Sequence, residues 1–78
     1  MNVEQLQALQ QANPFRPYRI HMADGRFLDV HHRDFVARSP TGRIITVFNP
    51  DETFEIVDLL LVASLEILNG QSVPKQAS

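Results

Sequence analysis

The residues best suited to chemistry in this chain are three histidines that lie near two aspartates. His31 and His32 are adjacent, Asp29 and Asp34 flank them, and His21 lies across a predicted hairpin. Histidine and carboxylate side chains bind zinc and act in acid–base catalysis. Adjacent residues of a strand point to opposite faces, however, so His31 and His32 do not share one ion unless a bulge reorients them. We therefore predict no metal site and a solvated or bend-stabilising role for these side chains.

Arginine is the main cation of the chain, and it forms two-pronged contacts with phosphate. Arg26, Arg38 and Arg43 flank predicted turns, which would bring them to one end of a barrel as candidate contacts for RNA or DNA. Aspartates are interleaved with these arginines, and the net charge of −2 opposes general nucleic-acid binding. A mixed-charge surface that maintains solubility is the preferred interpretation.

Several other kinds of chemistry are excluded by composition. The chain has no cysteine, which rules out disulfides and thiolate chemistry and fits a reducing compartment. Its three glycines form no phosphate-binding loop, and no serine has a catalytic base at a recognisable spacing. The N-terminus lacks a secretion signal, and the longest apolar run, residues 59–65, is too short to cross a bilayer. We expect a cytoplasmic protein that is not an enzyme, needs no cofactor and contacts no membrane.

The elements that position these residues begin with a β-hairpin over residues 18–30. Apolar residues alternate with polar ones on both sides of Asp24-Gly25. A two-residue loop there would mix polar and apolar side chains on both faces, whereas a three-residue loop with a left-handed Gly25 keeps them apart. The three-residue loop predicts the cross-strand pairs Tyr18–Val30, Ile20–Leu28 and Arg19–Asp29.

The hairpin is preceded by a predicted helix and followed by further strands. Helical spacing of Leu6 and Leu9 predicts an amphipathic helix over residues 2–12, which ends before Pro14. After the hairpin, strand-like segments are predicted at residues 34–38, 43–48 and 53–57. The segment 43–48 is apolar on both faces and is expected to be central, and in the segment 53–57 we expect Phe54 and Ile56 to point inward.

The segment from Asp58 to Gly70 has two interpretations. As a helix, it would begin at Asp58 and end at Asn69-Gly70. As a strand, it would start with one 3₁₀ turn and then alternate through Ile67. We favour the strand, because a five-stranded barrel needs a closing strand here and an open sheet would leave bare edges. The prediction is a single domain over residues 1–69, followed by a disordered tail over residues 70–78.

One helix followed by short strands is the order of the small SH3-like and Sm-like barrels. The chain also resembles a family of small, uncharacterised bacterial proteins in the segments PFRPYRIH (14–21), ADGR (23–26), DF (34–35), SPTGR (39–43) and IVDLLLV (56–62). This resemblance implies the fold and no catalytic residue. Sm proteins bind uridine-rich RNA through an Asp, an Asn and an Arg-Gly. Only Asp34 matches the first position here, and Asp58-Leu59 stands in place of Arg-Gly.

We therefore expect a mainly β protein, a small five-stranded SH3/Sm-like barrel with an N-terminal helix. The alternative is an α+β fold with a four-stranded antiparallel sheet and helices at both ends. The expected function is a non-catalytic binding and assembly module that acts through protein–protein contacts and self-association. The candidate interface residues are Leu6, Leu9 and Phe27, the last predicted on the outer face of the hairpin. An RNA- or DNA-binding regulator of Sm-like type is the alternative function.

Overall fold

A computed structural model describes residues 3–68, which form one short helix and six strands. The helix α1 spans Val3–Gln10. The strands are β1 (Tyr18–Met22), β2 (Phe27–Val30), β3 (Val36–Arg38), β4 (Ile44–Phe48), β5 (Phe54–Asp58) and β6 (Val62–Ile67). Two 3₁₀ turns, η1 (Arg33–Phe35) and η2 (Leu59–Leu61), precede β3 and β6. The expectation of a mainly β protein is confirmed, and the predicted tail lies outside the described residues.

The strands form two separate antiparallel sheets of three strands each, in the orders β2-β1-β6 and β3-β4-β5. The prediction of five strands closed into a barrel is therefore wrong for the described residues. The physical reason lies between β2 and β3. The chain makes a 3₁₀ turn at η1, and β3 then pairs with β4 and not with any strand of the first sheet. The ladder of backbone hydrogen bonds is interrupted there, and the two sheets stay distinct.

The hairpin of β1 and β2 has the predicted register. Tyr18 lies opposite Val30 and Ile20 opposite Leu28. The Met22 N–H donates to the Arg26 carbonyl at 2.8 Å, which leaves a three-residue loop. Gly25 has a φ of +94° within this loop, a conformation that glycine adopts without the strain of a Cβ.

The C-terminal segment is the predicted 3₁₀ turn and strand, so the alternative fold with a C-terminal helix does not occur. The Asp58 side chain accepts a hydrogen bond from the Leu60 N–H at 2.9 Å and holds η2 in place. Strand β6 then pairs with β1, with a bulge next to His21 and Met22. This pairing makes β1 the central strand of the first sheet.

The core lies between the two sheets and under the helix. Strand β1 contributes Tyr18, Ile20 and Met22, which are all buried, and β4 contributes Ile45 and Val47. The described core consists of Leu6, Tyr18, Ile20, Met22, Leu28, Val30, Val36, Ile45, Val47, Val57, Leu59 and Val62.

The facing of β5 differs from the prediction. Phe54 and Ile56 point outward and are 57% and 69% exposed, whereas Val57 is buried. Three apolar residues in this strand leave its inner side ambiguous in the sequence. The pairing with β4 decides it, because the buried Ile45 lies opposite Val57.

The helix ends at Gln10, two residues before the predicted end at residue 12, and this end is held by a contact from a distant part of the chain. The Arg33 guanidinium donates to the Gln10 carbonyl at 2.9 Å and to the Ala12 carbonyl at 2.5 Å. The Gln10 side-chain amide donates in return to the Arg33 carbonyl. A helix end has free carbonyls that need donors, and α1 has no basic residue of its own in its last turn. Arg33 therefore satisfies the helix end and anchors it to η1.

The helix start is constrained by Gly42, which has a φ of +76°. A Cβ at this position would lie 2.5 Å from Val3 Cγ2, whereas a Cβ at Gly25 would meet nothing within 4 Å.

Both Gly42→Ala and Gly25→Ala incur left-handed strain of about 1–2 kcal/mol. We expect Gly42→Ala to lower the free energy of unfolding further, because it also displaces α1. Urea denaturation measures both, and equal losses would contradict the close approach. Adding Val3→Ala should recover part of the Gly42→Ala loss.

Tyr18 offers a second test, because it is the only tyrosine in a chain without tryptophan. Its ring is fully buried, and its hydroxyl donates to Gln10 Oε1 at 3.2 Å. Burial raises the pKa of Tyr18 to about 12. The phenol of the unfolded chain ionises near pH 10, so stability is fully present below that pH and is lost as the pH rises toward 12.

We therefore expect the ultraviolet absorbance of tyrosinate to appear together with unfolding, above pH 10. Tyr18→Phe is the matched control, and its stability should depend less on pH in this range. A reversible titration near pH 10 with no loss of structure would show that the ring is accessible.

Candidate functional site

The outer face of the first sheet is covered by polar contacts, and we call it the charged face. Arg19 makes two hydrogen bonds with Asp29, at 2.7 and 3.1 Å. His21 Nε2 lies 2.9 Å from Glu66 Oε1. The guanidinium of Arg19 also stacks on Phe27, with its carbon 4.1 Å from the ring centroid. The side-chain hydrogen bond with Asp29 raises the pKa of Arg19 above its ordinary value.

The outer face of the second sheet has the opposite character, and we call it the apolar face. It is formed by β4 and β5, which direct Ile44, Phe48, Phe54 and Ile56 outward. Their exposures are 44%, 37%, 57% and 69%. Phe48 and Phe54 lie opposite each other, with ring centroids 5.9 Å apart. Several large apolar side chains exposed together on one face are a recognised mark of an interaction surface.

The three predicted interface residues lie in different places. Leu6 is buried in the core with 1% exposure. Leu9 packs partly against the core and lines a groove of about 490 Å³ between α1 and β6. Phe27 is 52% exposed and belongs to the charged face, under Arg19. The structure therefore leaves only Leu9 and Phe27 with surface for a partner, and it does not bring them together.

The three predicted nucleic-acid contacts also have different surroundings. Arg26 forms ion pairs with Asp24 at 3.0 Å and with Glu55 at 3.2 Å. The hydrogen bond from the Arg26 backbone N–H lowers the pKa of Asp24, with the guanidinium contributing in the same direction. The Gln7 side-chain amide lies against Arg38, and the assignment of its oxygen toward the guanidinium lets it accept from the two terminal nitrogens at 3.2 and 2.7 Å. Arg43 is exposed and has no ion pair within residues 3–68.

The histidines have separate environments. His21 faces Glu66, and the ring of His32 packs edge-on against Phe35, with centroids 5.1 Å apart. Between residues 3 and 68, no group of three or more His, Cys, Asp or Glu side chains could hold a metal ion. No helix in that same range has the length and apolar character needed to span a bilayer.

Sequence reasoning missed two groups of residues. The apolar face was missed because Phe54 and Ile56 were expected inside; the apolar residues on both sides of β4 were the signal that could have revealed it. The role of Arg33 at the end of α1 had no signal, because it arises from contacts between residues 21–23 positions apart in sequence.

In comparisons with known proteins, no family model, no curated protein and no solved structure matched the chain.

The charged face generates a prediction about stability. The side chains of Arg19 and Asp29 are 30% and 24% exposed, and their contact is two-pronged. In a double-mutant cycle with Arg19→Ala and Asp29→Ala, we expect a coupling of about 0.5–1 kcal/mol. The same cycle on Arg26 and Asp24 is the control and should give a smaller coupling, because that pair is 58% and 59% exposed. Urea unfolding measures both, and equal couplings would show that water screens the two pairs alike.

Proposed function

We propose that this protein is a non-catalytic binding and assembly module that acts through protein–protein contacts and self-association. The observation that carries the proposal is the apolar face. Phe54 and Ile56 are exposed to water, which is unfavourable for apolar side chains. Burying apolar surface stabilises the buried state by about 25 cal/mol per Å². A surface of this kind is stabilised when a protein partner covers it.

The size of the apolar face supports the same proposal. A phenylalanine offers roughly 200 Å² of surface, so the exposed fractions of Ile44, Phe48, Phe54 and Ile56 give about 400 Å² together. A contiguous apolar patch of about 300–600 Å² is the largest found on typical monomers, and such patches are often functional.

A non-catalytic role is supported by the structural duties of the polar side chains. Ser39 accepts a hydrogen bond from the Ile44 N–H at 3.2 Å and lies 3.5 Å from the Thr41 hydroxyl, so it stabilises the turn before β4. The ring of His21 makes its hydrogen bond with the Glu66 carboxylate. None of these contacts forms a nucleophile with its base.

We propose that the two sheets are a variant of the small SH3/Sm-like barrels. Two features support this proposal: the 3₁₀ turn η2 between β5 and β6, and the pairing of β6 back onto β1. A cytoplasmic location is also proposed, since the sequence contains no cysteine.

The alternative of a nucleic-acid-binding regulator has less support. Nucleic-acid binding requires protein cations that neutralise phosphates and so release the counterions condensed on the nucleic acid. Two carboxylates already neutralise Arg26. Arg38 and Arg43 are exposed at the surface. Two arginines can contact only a small number of phosphates of a nucleic acid.

The proposal predicts that the purified chain associates at micromolar concentrations. Sedimentation velocity over a hundredfold range of concentration should show a weight-average mass that rises above the monomer value of 8.9 kDa. Raising the salt concentration should not reduce this association, because apolar burial drives it. A mass that stays at the monomer value across the whole range would overturn the self-association part of the proposal.

A further inference from the structure

We propose that two copies of the chain pack their apolar faces against each other, sheet on sheet, around a two-fold axis. This inference rests on the proposed function and adds to it the partner, the surface and the symmetry. It commits to a second copy of this chain as the occupant of the face formed by β4 and β5.

The first argument is area. Two apolar faces together supply about 800 Å² of apolar surface, twice the estimate for one copy. Protein interfaces are about 57–65% apolar, so this amount corresponds to an interface of roughly 1,200–1,400 Å² in total. Specific complexes begin at about 1,200 Å². One copy therefore carries the apolar half-interface that a stable dimer needs.

The second argument is charge. The outward side chains of β4 and β5 are neutral, except for the carboxylate of Asp58 at the end of β5. A charged partner would find no ion-pairing group across most of this surface. On the charged face, by contrast, Arg19 and His21 already contact carboxylates within the same copy. With the axis near Thr46 and Ile56, Asp58 lies at the rim of each copy, away from its equivalent.

The third argument is shape. Sheet faces pack on each other at a spacing of about 10 Å, with the strand directions of the two sheets within about 30° of each other. The opposed rings of Phe48 and Phe54 stand at one end of the face, and Ile44 stands at the other, beside Asp58. A two-fold axis that runs across the strands between the two sheets places the aromatic end of one copy over the Ile44 end of its partner.

The test uses the full chain and three substitutions to threonine, which keeps strand propensity. The double variant Phe54→Thr/Ile56→Thr removes the two most exposed side chains of the face. Phe27→Thr is the matched control, because Phe27 is 52% exposed on the opposite sheet. Circular dichroism checks that each variant is folded. We expect the double variant to raise the dimer Kd about 100-fold and Phe27→Thr to change it little.

The absence of native cysteine allows a second readout. Thr46 lies opposite Ile56 at the centre of the apolar face, and Ser64 lies opposite His21 on the charged face. A cysteine at a two-fold axis lies near its own equivalent. Under mild oxidation we expect Thr46→Cys to give a disulfide-linked dimer and Ser64→Cys to give little.

The outcomes separate this inference from the proposed function. A monomeric wild-type chain overturns this inference and the self-association part of the proposed function, and it leaves contacts with other proteins standing. If the wild-type chain is a dimer and Phe54→Thr/Ile56→Thr is still a dimer, or if Phe27→Thr is a monomer, the apolar face is not the dimer interface. The assembly function would still stand. Association that continues beyond two copies, or equal cross-linking of Ser64→Cys and Thr46→Cys, overturns the two-fold arrangement.

Discussion

The pairing of β6 with β1 is the contact on which the rest of the structure depends. Without it, the first sheet would be a two-stranded hairpin, which is marginally stable in water. The pairing places Tyr18 opposite Ile67 and so joins the beginning and the end of the described β structure. It also forms the second wall of the groove beneath α1. The capped turn η2 sets where β6 begins, because Asp58 and the Arg43 carbonyl hold its backbone N–H groups.

This arrangement gives the two sheets different outer surfaces. The first sheet has β1 at its centre, and the polar members of its alternation, Arg19 and His21, each meet a carboxylate on a neighbouring strand. The second sheet has β4 at its centre, which is apolar on both sides. Its inner side fills the core with Ile45 and Val47, so its outer apolar residues have no place within one copy of the chain.

The parts of the fold that could be predicted are those fixed by local chemistry. The register of the first hairpin follows from Gly25 and the alternation around it. The local pattern after Asp58 allows both a helix and a 3₁₀ turn with a strand, and the expectation of a further strand for the sheet, which favours the second, is met by the pairing of β6 with β1. The parts that could not be predicted depend on distant partners. The inner side of β5 is set by Ile45 across the sheet, and the end of α1 is set by Arg33. The apolar face escaped prediction for the first of these reasons, and the failure of the barrel to close follows from the turn at η1.

The placement of apolar residues outside the second sheet has a consequence for a chain of this size. A single domain within a chain of 78 residues has a core that is only just sufficient, and covering more apolar surface adds stability. An exposed β5 edge beside Phe54 and Ile56 would otherwise invite strand pairing that continues from copy to copy. Packing by faces around a two-fold axis uses the same side chains but closes after two copies. Packing through the apolar face would thus stop at a dimer, whereas pairing through the β5 edge would continue from copy to copy.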